Sequence, residues 1–128
     1  MFKDKQKDLE TVIGKNTQFT GDIVAKGTLC IDGRVVGNVE ADWLILGEKS
    51  YLKGNSRVGG IVVGGYLEGN VEAREIIEVK SKGQVRGDIS TAKLVVLEGG
   101  SVDGRVSMKV EGSKVVELNK DKIREAQH

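Results

Sequence analysis

The sequence predicts an all-β protein: a single-stranded parallel β-helix, or β-solenoid, of about six coils with short flexible tails. Three observations predict it. Glycine occurs 18 times and proline not at all, while the apolar residues are mostly Val, Ile and Leu. A short motif, apolar-x-Gly-x-apolar, recurs along the chain. A pair of apolar residues two apart falls between successive copies. Glycine without proline among β-branched residues argues against disorder and against a collagen repeat. It favours many short strands joined by tight turns.

The motif appears as "FTGDI" (19–23), "VVGNV" (35–39), "LEGNV" (67–71), "VRGDI" (85–89) and "VDGRV" (102–106), with "LKGNS" (52–56) a weaker copy. Its glycines are Gly21, Gly37, Gly54, Gly69, Gly87 and Gly104, so the intervals are 16, 17, 15, 18 and 17 residues. A period near 17 is too short for helical repeats or propeller blades. It suits one solenoid coil of short strands and tight corners, stacked at about 4.8 Å per coil.

Each coil then contributes inward residues to stacked columns. One column is Phe19, Val35, Leu52, Leu67, Val85 and Val102. The next is Ile23, Val39, Ser56, Val71, Ile89 and Val106, where Ser56 is polar and predicts a locally weaker coil. The pairs Leu29/Ile31, Leu44/Leu46, Ile61/Val63, Ile77/Val79 and Leu94/Val96 supply two more columns, because residues two apart share one face of a strand. Glycine suits the corner because it accepts positive φ and has no side chain to clash between coils. The Asn or Asp after it is expected to bond its own local backbone. Arg86-Gly87-Asp88 therefore reads as one of these corners and not as an adhesion ligand.

Bulk numbers exclude several function classes. The charges nearly cancel, 20 basic against 19 acidic, and aromatics are 4%. Neither a strong field for nucleic acid nor a base-stacking platform is present. The lone cysteine, Cys30, allows no intramolecular disulfide and fits a reducing compartment. No apolar run reaches about 18 residues, and the N-terminus lacks the apolar core of a signal peptide, so the expectation is cytoplasmic.

No catalytic, cofactor or metal site is expected. The sole histidine is the last residue, His128, and Cys30 has no histidine partner. "VIGKNT" (12–17) is similar to a phosphate loop, but Leu9 stands where its first glycine belongs. A hexapeptide-repeat acyltransferase would need a six-residue period and a catalytic histidine. A small monomeric binding module is the main alternative.

A solenoid has two open ends with unpaired strand edges, and uncapped edges promote end-to-end pairing. The expected end-coil contacts are Phe19 and Ile23 at one end, and Val102 and Val106 at the other. The expected division is a tail over 1–18, a β-helix over 19–108 and a tail over 109–128. The stretch "VVELNKDKIREAQH" is expected to add a strand and a short helix. An outward row of Cys30, Ile45, Val62, Glu78 and Val95, flanked by Trp43, is a candidate lateral contact, chiefly through Trp43, Ile45 and Val62.

The stretches "GTLCIDGRVVGNVEADWLILGEKSYLKG" and "LEGNVEAREIIEVKSKGQVRGDISTAKLVVLEGGSVDG" resemble the bactofilins, a bacterial family of polymer-forming cytoskeletal proteins. The resemblance spans about 19–106. It implies a right-handed, three-sided β-helix and filaments that form without nucleotide. It also implies scaffolding of cell-wall, morphogenesis or motility proteins at the inner face of the cytoplasmic membrane. It marks "MFKDK" as a membrane-targeting peptide, with Met1 and Phe2 inserting and Lys3 and Lys5 meeting anionic headgroups. One phenylalanine supplies only about 1.5–3 kcal/mol, so binding rests on many copies in a polymer. The last coil offers Val102 and Val106 where an aromatic would extend the end contact.

Overall fold

The computed structural model describes residues 11–110 and 114–118. The chain winds as a three-sided parallel solenoid, and the described residues contain strands and turns but no helix. The first turn places β1 (Thr11–Ile13) on a first face, β2 (Gln18–Thr20) on a second and β3 (Ile23–Val24) on a third. The second turn repeats this with β4 (Thr28–Ile31), β5 (Arg34–Val36) and the start of β6 (Val39–Leu46). The strands β6, β8 (Ser56–Val63) and β10 (Val71–Val79) continue from the third face onto the first face of the next turn. Between them, β7 (Tyr51–Lys53) and β9 (Tyr66–Glu68) form the second face. The last turns contribute β11 (Gln84–Arg86), β12 (Ile89–Thr91), β13 (Leu94–Val96), β14 (Ser101–Asp103) and β15 (Val106–Val110). A final strand, β16 (Lys114–Leu118), closes the described chain.

The second face is a 6-stranded sheet, and the other two faces share a 10-stranded sheet because the long strands bend across their common corner. Every pairing between coils is parallel, and partners lie one coil apart: Val35 sits beside Leu52, Leu52 beside Leu67, and Leu67 beside Val85. The expected columns are therefore real rows in register. Leu29, Leu44, Ile61 and Ile77 are fully buried on the first face, as are Val35, Leu52, Leu67 and Val85 on the second. Burial of each Leu or Ile contributes roughly 1.5–3 kcal/mol, so stability is spread along the rod.

The corner glycines explain the period. Gly21, Gly37, Gly54, Gly69, Gly87 and Gly104 all have positive φ, between 137° and 153°. They stack on one another. A Cβ added at Gly54 would collide with the carbonyl oxygen of Gly37 in the preceding coil, and Gly69 stands likewise against Gly54. Position and conformation each demand glycine there.

Two sequence expectations meet a different geometry. The Asn and Asp side chains after these glycines do not bond their own backbone. Each accepts from the backbone of the following coil, as described below. The solenoid also begins before Phe19, because β1 already pairs with β4 through Thr11–Leu29 and Ile13–Ile31.

Candidate functional site

The corner between the second and third faces carries a ladder. The Asn38 N–H donates to Asp22 Oδ1 at 3.0 Å, Asn55 to Asn38 at 2.9 Å, and Asn70 to Asn55 at 3.0 Å. Asp88 then donates to Asn70 at 3.1 Å, and Arg105 to Asp88 at 3.1 Å. A short side chain with an sp2 oxygen, placed after a positive-φ glycine, reaches the next coil's N–H and satisfies a donor that the turn leaves outside the sheet. In the RGD stretch, Asp88 is committed to this ladder and Gly87 to the stacked corner. Arg86 lies outward beside Asp103 at 3.9 Å. Its pKa is raised first by hydrogen bonding to Tyr66 and then by charge interactions with Tyr66, Asp103 and Glu68.

The second face carries an aromatic stack. The Tyr51 and Tyr66 rings lie 5.3 Å apart and nearly parallel, and the Arg34 guanidinium sits 4.1 Å from the Tyr51 centroid. The signal was available in sequence: the two tyrosines are 15 residues apart, the same interval that separates Gly54 from Gly69.

The first face carries the expected apolar row. Register places Cys30 beside Ile45, Ile45 beside Val62, Val62 beside Glu78, and Glu78 beside Val95. Val12 extends the row beside Cys30. Trp43 and Ile45 are exposed, whereas Val62 is half-buried. The Trp43 ring lies over Gly60 of the next coil, where a Cβ would strike it. The indole packs against the Gly60 backbone while remaining partly open to solvent.

The two ends differ. Phe19 belongs to an inward column yet is 37% exposed, because no described strand lies beyond β2. Ile23 beside it is half-buried. At the other end Val102 is buried and Val106 is 0% exposed. There β16 runs antiparallel along β15, with Leu118 opposite Val106 and Lys114 opposite Val110. The strand expected in the C-terminal stretch is present. The short helix expected after it, and Met1, Phe2, Lys3 and Lys5, lie outside the described residues. Among the described residues no group of His, Cys, Asp or Glu is placed to hold a metal ion, and no helix is long and apolar enough to cross a membrane.

A stack of one-chain coils with edges exposed at an end is a unit suited to self-association. The bactofilin family model, described as polymer-forming cytoskeletal, matches residues 11–107. The chain belongs to the bactofilin family. This bactofilin is similar to Bactofilin BacP of Myxococcus xanthus (strain DK1622), 31% identical over 99 residues, covering 77% of this chain and 41% of BacP. It is also similar to Bactofilin BacO of the same organism, 29% identical over 107 residues, covering 79% of this chain and 81% of BacO. The matched stretch thus spans about two-fifths of BacP but most of BacO. No solved structure matches the chain. The family match begins at residue 11, the first residue of β1, which agrees with a solenoid that starts there.

Proposed function

We propose that this bactofilin assembles end to end through its terminal coils, without nucleotide, into filaments. These scaffold cell-shape, cell-wall or motility proteins at the inner face of the cytoplasmic membrane. The observation that carries this reading is Phe19: an inward core residue left 37% exposed at an end whose strands β1, β2 and β3 have no described neighbour on their outer side. Three parallel edges around an apolar cross-section are matched best by the end of a second solenoid, since uncapped strand edges recruit further strands. The role is structural and not enzymatic. Met1 and Phe2 insert into the bilayer and Lys3 and Lys5 meet its anionic headgroups. Polymerisation multiplies the weak grip of one peptide. Trp43, Ile45 and Val62 form a lateral contact.

Negative-stain microscopy and pelleting without nucleotide test this. Wild-type protein gives filaments a few nanometres wide, and Phe19→Arg stays small while keeping its β-sheet circular dichroism. Compact monomers of wild type at high concentration would sink the reading and leave a monomeric binding module. Deleting residues 1–5 abolishes sedimentation with anionic liposomes; unchanged sedimentation removes the membrane peptide.

A further inference from the structure

The pairing of β16 breaks the rule followed by the other pairings. Coil-to-coil contacts are parallel and arise from the winding; β15 and β16 pair antiparallel over five positions, from Val106–Leu118 to Val110–Lys114. The strand β16 therefore lies where a seventh coil, or the edge of another molecule, would meet the third face. The first and second faces at the same end finish in β13 and β14, which have no described strand beyond them. One of three edges is occupied and two are open.

A second observation falls at the same corner. The side-chain ladder runs from Asp22 through Asn38, Asn55, Asn70 and Asp88, and its last N–H belongs to Arg105. A guanidinium is a donor only. Arg105 has no side-chain oxygen to hand the ladder on to an added coil. The adjacent Val106, expected as an end contact, is fully buried with β16 alongside.

Resting on the end-to-end reading above, we propose that β16 is a built-in cap on the C-terminal end. It fills the third-face edge of β15 in the free subunit and leaves it when a second copy docks there. The partner is thus a second copy of this chain, and it competes with β16 for the same backbone N–H and C=O groups of β15. The N-terminal end, open on all three faces among the described residues, needs no such release. Growth is limited at one end by a five-residue strand held by its own hairpin, which is a length of strand that local fluctuations open readily.

The test pins the hairpin. Ser107 and Glu117 are register partners. In a Cys30→Ser background, Ser107→Cys with Glu117→Cys forms a disulfide under oxidation. Oxidised protein is expected to give nothing longer than a dimer by light scattering and microscopy, and reduction restores filaments. Removing residues 111–128 is expected to lower the critical concentration several-fold. If oxidised and reduced forms polymerise alike, the cap is wrong even though end-to-end assembly stands. If wild type and every variant stay monomeric, the assembly reading falls and the cap with it. Should the truncation lose its β-sheet signal, the oxidised-to-reduced contrast alone decides.

Discussion

Phe19 and Leu67 occupy the same inward column, three coils apart and in equivalent positions of the repeat. Leu67 is walled by Leu52 on one side and Val85 on the other, and is fully buried. Phe19 has Val35 on one side and no described strand on the other. A repeat sequence specifies the same contact at each coil, but only interior coils receive it twice. The difference separates two kinds of residue that look alike in sequence: those that hold the rod together, and those whose missing half is available to another molecule.

The corner glycines break this comparison most sharply. Gly54→Ala places a Cβ against the Gly37 carbonyl oxygen and forces a left-handed residue to carry a side chain. Backbone lies on the far side of that clash, so it cannot rotate away. The expected loss exceeds about 4 kcal/mol, enough to unfold a domain of ordinary stability. Gly21→Ala keeps the positive φ of 137°, but the nearest atoms to its Cβ are in the Phe19 ring at 3.7 Å, an ordinary contact. Only conformational strain remains, about 1–3 kcal/mol. Urea unfolding of both variants checks the ratio. Equal losses would mean that φ, and not coil stacking, explains the glycine column.

That glycine column, the inward columns and the outward row of Ile45 and Val62 were legible because each is a property of spacing, and stacked coils convert spacing directly into neighbours. The ladder was legible only as residue types. Asn55 after Gly54 signals a corner, but its acceptor role is toward Asn70, fifteen residues on, and turn chemistry considered locally points to its own backbone instead. The strand over Lys114–Leu118 was legible as a strand, but its reversal was not. Val116 and Leu118, two apart, suit either direction, and only the antiparallel register with β15 reveals it. The early start at Thr11 was missed for a related reason: "TVI" has no corner glycine of the FTGDI type before it, so the motif search began one face too late.

Ser56 gives a smaller effect of opposite sign. It stands in register between Val39 and Val71, is only 3% exposed, and its hydroxyl has no hydrogen-bond partner. An unmet buried hydroxyl costs roughly 1–3 kcal/mol. Ser56→Val restores the column and is expected to raise stability by about 1 kcal/mol, read as a higher urea midpoint at unchanged slope. Its coil neighbours in the column, Val39 and Val71, are themselves valines. A loss of stability would show instead that this coil is packed tightly around the smaller residue, since overfilling a close-packed core also destabilises.

The smallest expected effect lies on the outside of the same central coils. Arg34, Tyr51 and Tyr66 form a continuous stack across three successive turns of the second face. Stacked tyrosines and a guanidinium on a half-buried surface ring each contribute about 0.5–1 kcal/mol. A double-mutant cycle with Arg34→Ala and Tyr51→Ala should return a coupling of about 0.5 kcal/mol or slightly more. The two residues belong to different coils, so the coupling measures what outward side chains add to cohesion between coils, apart from the core. A coupling of zero would assign all of that cohesion to the buried columns, the glycine stack and the backbone ladders. It would also mean that the outer surfaces of the central coils are energetically idle and available to partners without cost to the rod.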